Sequence, residues 1–208
     1  MTDGTPILRD GPRSTQATIV LAHGAGAGMD HPFLAQVAAG LAEAGFAVVR
    51  FEFPYQHAAR SGRRRGPDRL PVLQDSMREV VRAHAPAPFV LAGKSMGGRV
   101  ATTIADDLGA AGVIVFGYPF HPPRRPTQLR TEHLRTLRTP TLILQGERDP
   151  FGTRAEVAGY ELAPAIRVEW SADGDHSLAP RQRSGHTAAG HLAAAIAAAA
   201  AFAHSVSG

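Results

Sequence analysis

The sequence predicts an α/β fold: a mostly parallel sheet of six to seven strands, helices on both faces and no lid domain. Three observations carry this. Apolar runs of strand length alternate with helical patterns from end to end, as crossover helices on a parallel sheet require. One of those runs, Pro88-Phe89-Val90-Leu91-Ala92, feeds directly through a glycine-rich turn into a helical pattern. Residues 119–140 have room for one ordinary crossover helix, and nothing longer is available for a lid.

Taken in order, residues 6–9 offer a seventh strand, and residues 18–22 form the first clear buried one. Asp30 is placed to cap a helix whose apolar face is Phe33, Leu34, Val37, Leu41 and Ala42, ending near Gly45. Residues 46–53 read as the second clear strand and residues 57–69 as a basic loop. Leu73, Met77, Val80, Val81 and His84 then share a helical face. The elbow strand follows, and behind it Val100, Ala101, Ile104, Ala105 and Leu108 mark a helix that Gly109 stops. Residues 113–118, 141–145 and 166–170 complete the strands, with short helices expected at 127–137 and 154–162.

Composition sets limits on function. The 208 residues are expected to form one domain over 1–208, its core spanning about 16–203 with flexible termini. A hydrophobic content of 44% with 19% charged residues is too apolar for disorder. The absence of cysteine removes disulfides and thiolate chemistry. The net charge of +4 comes almost wholly from arginine, Lys94 being the only lysine, a bias of coding composition rather than a nucleic-acid footprint. The first fifteen residues lack an apolar core of the secretory kind, so a cytoplasmic location is expected. The alanine-rich stretch 188–203 falls short of the roughly 20 residues of a membrane span and reads as a final helix packed on the sheet.

Gly93-Lys94-Ser95-Met96-Gly97 is a G-x-S-x-G string between a strand and a helix, the context of a nucleophile elbow. It also contains Gly-Lys-Ser. A phosphate-binding loop would need glycine at position 88, where Pro88 stands, and the residues between are strand-like. A serine hydroxyl needs a histidine base and an acid to orient it. Asp149 lies in the turn after strand 141–145, and His176 lies in the loop after strand 166–170. The chain order Ser95, Asp149, His176 is that of the nucleophile-elbow hydrolases. Glu147, two residues before Asp149, is the alternative acid.

Acyl transfer also needs donors for an oxyanion. The backbone N–H of Met96, next to the nucleophile, is assigned as one, and that of Ala25, in the glycine-rich loop 23–28, as the other, with Gly26 as alternative. Tyr55, Tyr118, Phe120 and His121 follow strand ends and are candidates to contact substrate, as are the aromatic rings of Phe51, Phe53 and Phe151 and the imidazole of His31. The arginines of 60–69 could attract an anion. No histidine pair has metal-ligand spacing with a third ligand, so neither metal nor cofactor is expected.

Taken together, the His23-Gly24 loop, the Gly93-Lys94-Ser95-Met96-Gly97-Gly98 elbow, the Gly146-Glu147-Arg148-Asp149-Pro150-Phe151 turn and the Gly174-Asp175-His176 loop resemble a cap-less α/β hydrolase. The resemblance is to the small dienelactone-hydrolase-like type, with Ser95 where dienelactone hydrolase has cysteine, and it spans residues 16–202. It implies that the first clear strand lies between the second and the elbow strand. It also implies a serine hydrolase acting on a small-molecule acyl substrate through an acyl-enzyme, with neither nucleic acid nor membrane as partner. The competing expectation is a non-catalytic binding module on the same fold.

Overall fold

The computed structural model describes residues 5–13 and 15–208. Seven strands form one sheet: β1 (Ile7–Asp10), β2 (Thr18–Ala22), β3 (Ala47–Phe51), β4 (Phe89–Lys94), β5 (Gly112–Phe116), β6 (Thr141–Gly146) and β7 (Ile166–Ser171). Their spatial order is β1-β3-β2-β4-β5-β6-β7, with β1 antiparallel to β3 and every other pair parallel. β2 therefore lies between β3 and the elbow strand β4, as the resemblance implies. The order reverses between β2 and β4, the kind of place where a crevice opens at the carboxyl ends of the strands.

Both faces of the central strands are covered. Val20, Val49, Leu91 and Val115 pack on one side with α3 (Leu70–His84) and α4 (Met96–Leu108). Ile19, Leu21, Val90 and Ile114 pack on the other with α1 (Pro32–Glu43) and α6 (Ala188–Ser207). Strands buried on both faces read as continuous apolar runs, which is why they stand out in the sequence.

Several local expectations are corrected. The first four residues of the expected basic loop are helical instead: α2 (Pro54–Arg60) begins at a proline in the first turn, where the missing N–H costs nothing. Asp68 accepts a hydrogen bond from the Tyr55 N–H at 2.9 Å, satisfying one of the free donors at that end. The cap of α1 is His31, whose Nδ1 accepts from the Phe33 N–H at 3.2 Å, and not Asp30, which pairs with Arg60 at 2.9 Å. The helix expected at 127–137 shrinks to a 3₁₀ turn at Glu132–Arg135, because tertiary contacts such as Arg130 N–H to Phe120 carbonyl (2.8 Å) take the local backbone groups. The helix expected at 154–162 is the single turn α5 (Arg154–Val157), started by a reciprocal Thr153–Glu156 capping box.

The last helix runs longer than expected. Among the described residues α6 is the one helix long and apolar enough to cross a membrane. It lies on the sheet, with Ala195, Ala199, Phe202 and Ala203 buried.

Candidate active site

β4 ends by delivering Ser95 at the crevice. Ser95 has φ +51° and ψ −112°, a strained conformation for a residue with a side chain. The turn is tight enough to exclude side chains at its glycines. A Cβ on Gly97 would lie 2.6 Å from the His23 carbonyl oxygen and 2.7 Å from that of Ala22, and one on Gly93 would strike the Gly97 backbone. The Ser95 N–H donates to the Phe116 carbonyl at 3.1 Å, which ties the elbow to the neighbouring strand β5.

The turn after β6 and the loop after β7 bring Asp149 and His176 to the same place. His176 Nε2 is 2.9 Å from Ser95 Oγ, and His176 Nδ1 is 2.7 Å from Asp149 Oδ2. With Nδ1–H donating to the carboxylate, Nε2 is the acceptor that faces the serine hydroxyl. Asp149 is fully buried, yet its oxygens are well supplied. Oδ1 accepts from the Phe151 N–H at 2.9 Å and Oδ2 from Gln145 Nε2 at 2.8 Å. Glu147 points elsewhere, to Arg154 (2.7 Å) and the Asp173 N–H (3.0 Å), and these partners hold its carboxyl below the ordinary range.

The histidine loop is held from several sides. Asp175 Oδ1 accepts from the N–H groups of Ser177 (2.7 Å) and Ala179 (3.0 Å), while Asp173 pairs with Arg148 and Arg181. Lys94 Nζ donates to the His176 carbonyl at 2.7 Å. Burial pushes the Lys94 ammonium down to about 8, against the opposing pull of Asp149 and Asp175. The Phe151 ring lies 4.2 Å from the His176 ring, centroid to centroid.

The glycine-rich loop reaches the same crevice. Ala25 lines two cavities, of about 290 and 330 Å³, that meet at Ser95. The first is also lined by His31, Phe33, Leu34, Lys94 and His176, and the second by Leu70, Leu73, Met96, Arg99 and Arg130. Phe151 borders both. Two residues brace the loop from behind. The Tyr55 hydroxyl donates to the carbonyls of Ala25 (2.9 Å) and Gly24 (3.3 Å). His23 Nε2 accepts from the Phe53 N–H at 3.1 Å, which leaves Nδ1–H to donate to the Gly24 carbonyl at 2.8 Å. Burial lowers the His23 pKa and keeps the ring neutral in that role.

Of the expected substrate contacts, Tyr55, Tyr118, Phe120 and His121 line neither cavity beside Ser95. All four are buried. Tyr55 supports the loop, and the Tyr118 N–H donates to Gln145 Oε1 at 2.7 Å, so these aromatics back the site instead of facing it. Phe51 and Phe53 are core residues too, whereas His31 and Phe151 do reach the cavities. Sequence reasoning missed the positions of Phe33, Leu34, Arg99 and Arg130, and the bracing by Gln145 and His23. A polar Gln145 inside an otherwise apolar strand was the one available signal.

In the basic segment, Arg60 is held by Glu52 (2.7 and 2.6 Å) and by Asp30, and Arg65 by Asp68. Those two cations already have their counter-ions.

A family model described as an alpha/beta hydrolase domain matches residues 15–204. Solved structures share the fold. A lidless α/β serine hydrolase from Xanthomonas campestris is 20% identical with a TM-score of 0.63, covering 99% of this chain and 95% of its own. Est1E from Butyrivibrio proteoclasticus is 15% identical with a TM-score of 0.71, covering 96% and 93%. A monoacylglycerol lipase from Paleococcus ferrophilus is 13% identical with a TM-score of 0.72, covering 95% and 99%. A family match over nearly the whole chain, on a sheet carrying the elbow and both downstream turns, places the protein in the alpha/beta hydrolase family.

Proposed function

We propose that this protein is a serine hydrolase that cleaves a small ester or related acyl bond through an acyl-enzyme. The observation that carries the reading is the unbroken relay from Ser95 Oγ to His176 Nε2 and from His176 Nδ1 to buried Asp149. Ser95 Oγ attacks the acyl carbon while its proton passes to His176 Nε2. Asp149 holds the ring in the tautomer that can accept it and stabilises the imidazolium that forms. The N–H groups of Ala25 and Met96 are the donors for the developing oxyanion, in the loop that Tyr55 and His23 brace and at the first residue of α4. The imidazolium then gives its proton to the leaving oxygen. Water, activated by the same histidine, attacks the acyl carbon, and Ser95 recovers its proton as the acid departs.

The leaving group is protonated by His176, so it belongs in the cavity that His176 lines, and the acyl part belongs in the other, lined by Met96 but not by His176. The dienelactone-hydrolase-like resemblance and a cytoplasmic setting belong to the same proposal, the latter checked by cell fractionation.

Incubation with a fluorophosphonate, or with an activated short-chain ester followed by mass spectrometry, should add one group to the wild type and none to Ser95→Ala. Equal labelling of the variant overturns the reading. In steady-state assays Asp149→Asn should lose about 10⁴-fold in kcat, and Glu147→Gln far less. A loss confined to Glu147→Gln would reassign the acid.

A further inference from the structure

Among the described residues, two arginines beside Ser95 have no partner of opposite charge. Arg99 lies one turn along α4, its N–H donating to the Ser95 carbonyl at 3.0 Å, so both residues lie on one side of the helix. Arg130 is pinned through its backbone: its N–H donates to the Phe120 carbonyl (2.8 Å) and its carbonyl accepts from the Tyr118 hydroxyl (2.8 Å). Both side chains line the 330 Å³ cavity at Ser95, and both also line a larger one of about 710 Å³ that continues past them to Thr103, His133 and Arg135. Among the described residues, no carboxylate pairs with either guanidinium, and the Arg99 Nε is buried without a hydrogen-bond partner.

The acids nearby do not pair with either arginine. Asp68, on the rim, accepts from the Tyr55 N–H and pairs with Arg65. Glu161, on the larger cavity, pairs with Arg135 at 2.7 Å, and Glu132, on the same cavity, is exposed and makes no ion pair among the described residues. The neighbours' titration reflects burial first and the Arg99 charge second. Burial and Arg99 together lower the Arg130 pKa and push His133 down to about 4. Two half-buried like charges facing one cavity, one with an orphaned donor, are unfavourable unless something negative enters.

Resting on the hydrolase reading above, we propose that Arg99 and Arg130 form an anion subsite for the acyl part of the substrate. The group bound is a carboxylate or phosphate at the end of the acyl chain away from the scissile bond. The four-residue rise from Ser95 to Arg99 is about 6 Å, which suits a short diacid monoester of succinyl or glutaryl length. Hydrolysis would then release a diacid, the anionic end remaining on the arginines while Ser95 is deacylated.

The test compares the phenyl monoester of glutaric acid with phenyl butyrate, which lacks the charge. The ratio of kcat/KM for the charged over the neutral ester should fall about 10- to 100-fold in Arg99→Gln and in Arg130→Gln, the range of a lost charge-assisted hydrogen bond. It should also fall with added salt. As a measurement independent of turnover, glutarate or inorganic phosphate is titrated into Ser95→Ala while the His133 ring is followed by NMR. Neutralising Arg99 should raise the His133 pKa, and the effect should vanish in the double arginine variant. If phenyl butyrate acylates Ser95 but the ratio ignores both arginines, the subsite is overturned and the hydrolase reading stands. If neither ester acylates Ser95 yet glutarate or phosphate binds through the arginines, the reverse holds. Anion binding that survives loss of both arginines also overturns the subsite.

Discussion

Asp149 and Glu147 are two residues apart, yet one carboxylate is fully buried against His176 while the other turns to Arg154. What separates them is the tight turn after β6, which aims successive side chains differently. Lys94 shows how the same local packing sets a charge. In the unfolded chain its amine titrates near 10.4, and in the folded protein near 8. Between those values the unfolded chain holds a proton that the native state has released, so stability rises with pH there, and below about 8 the full cost of the buried ammonium is present. Urea unfolding at pH 7.5 and 9.5 should show wild type gaining on the order of 1–2 kcal/mol relative to Lys94→Met. Equal pH dependence in the two proteins would contradict this. At this scale Ser95, Asp149 and His176 were legible because each sits at a strand end marked by its immediate neighbours. Lys94 was not, since the carbonyl it holds is 82 residues away.

Elements behave according to length. α3, α4 and α6 bury enough side chains on one face for their period to show, whereas α5 is a single turn and the region around Glu132 a single 3₁₀ turn. Nucleating so short a helix is unfavourable alone, so caps and tertiary bonds decide whether it forms. The junction of β4 and α4 is the element on which the site depends. Gly97→Ala sets a methyl against the carbonyls of Ala22 and His23, both within 2.7 Å and both in the backbone that leads from β2 into the glycine-rich loop. Backbone cannot yield as a side chain can, so the cost should reach about 3 kcal/mol, read as a lowered denaturation midpoint together with loss of fluorophosphonate labelling. A change under about 0.5 kcal/mol would mean that the turn is looser than described.

Across the molecule, β1 closes the sheet edge and is held by charge as well as by its ladder. Arg50, 7% exposed, donates twice to Asp10 at 2.9 Å and once to the Met29 carbonyl at 2.9 Å, clamping β1 to β3 and to the loop before α1. Asp10→Ala leaves the guanidinium buried without its counter-ion. The expected loss is about 2 kcal/mol, on the low side for a buried pair because the Asp10 side chain is 23% exposed. Pairing it with Arg50→Met should recover much of that loss in the same denaturation assay, and failure to recover would place the cost in packing. The sequence by itself determined the α/β class and the three residues of the relay, and the strand order around the elbow came from the resemblance. Hydrophobic period and turn chemistry are written in neighbouring residues, and chain order along a parallel sheet sends each strand's end to one edge. Only the tertiary structure decided which side chains line the crevice, which arginines keep their counter-ions and which do not. Burial and ion pairing are set by residues far apart in the chain, so Arg60 and Arg99 look alike in the sequence, yet one meets Glu52 and the other opens onto the cavity beside Ser95.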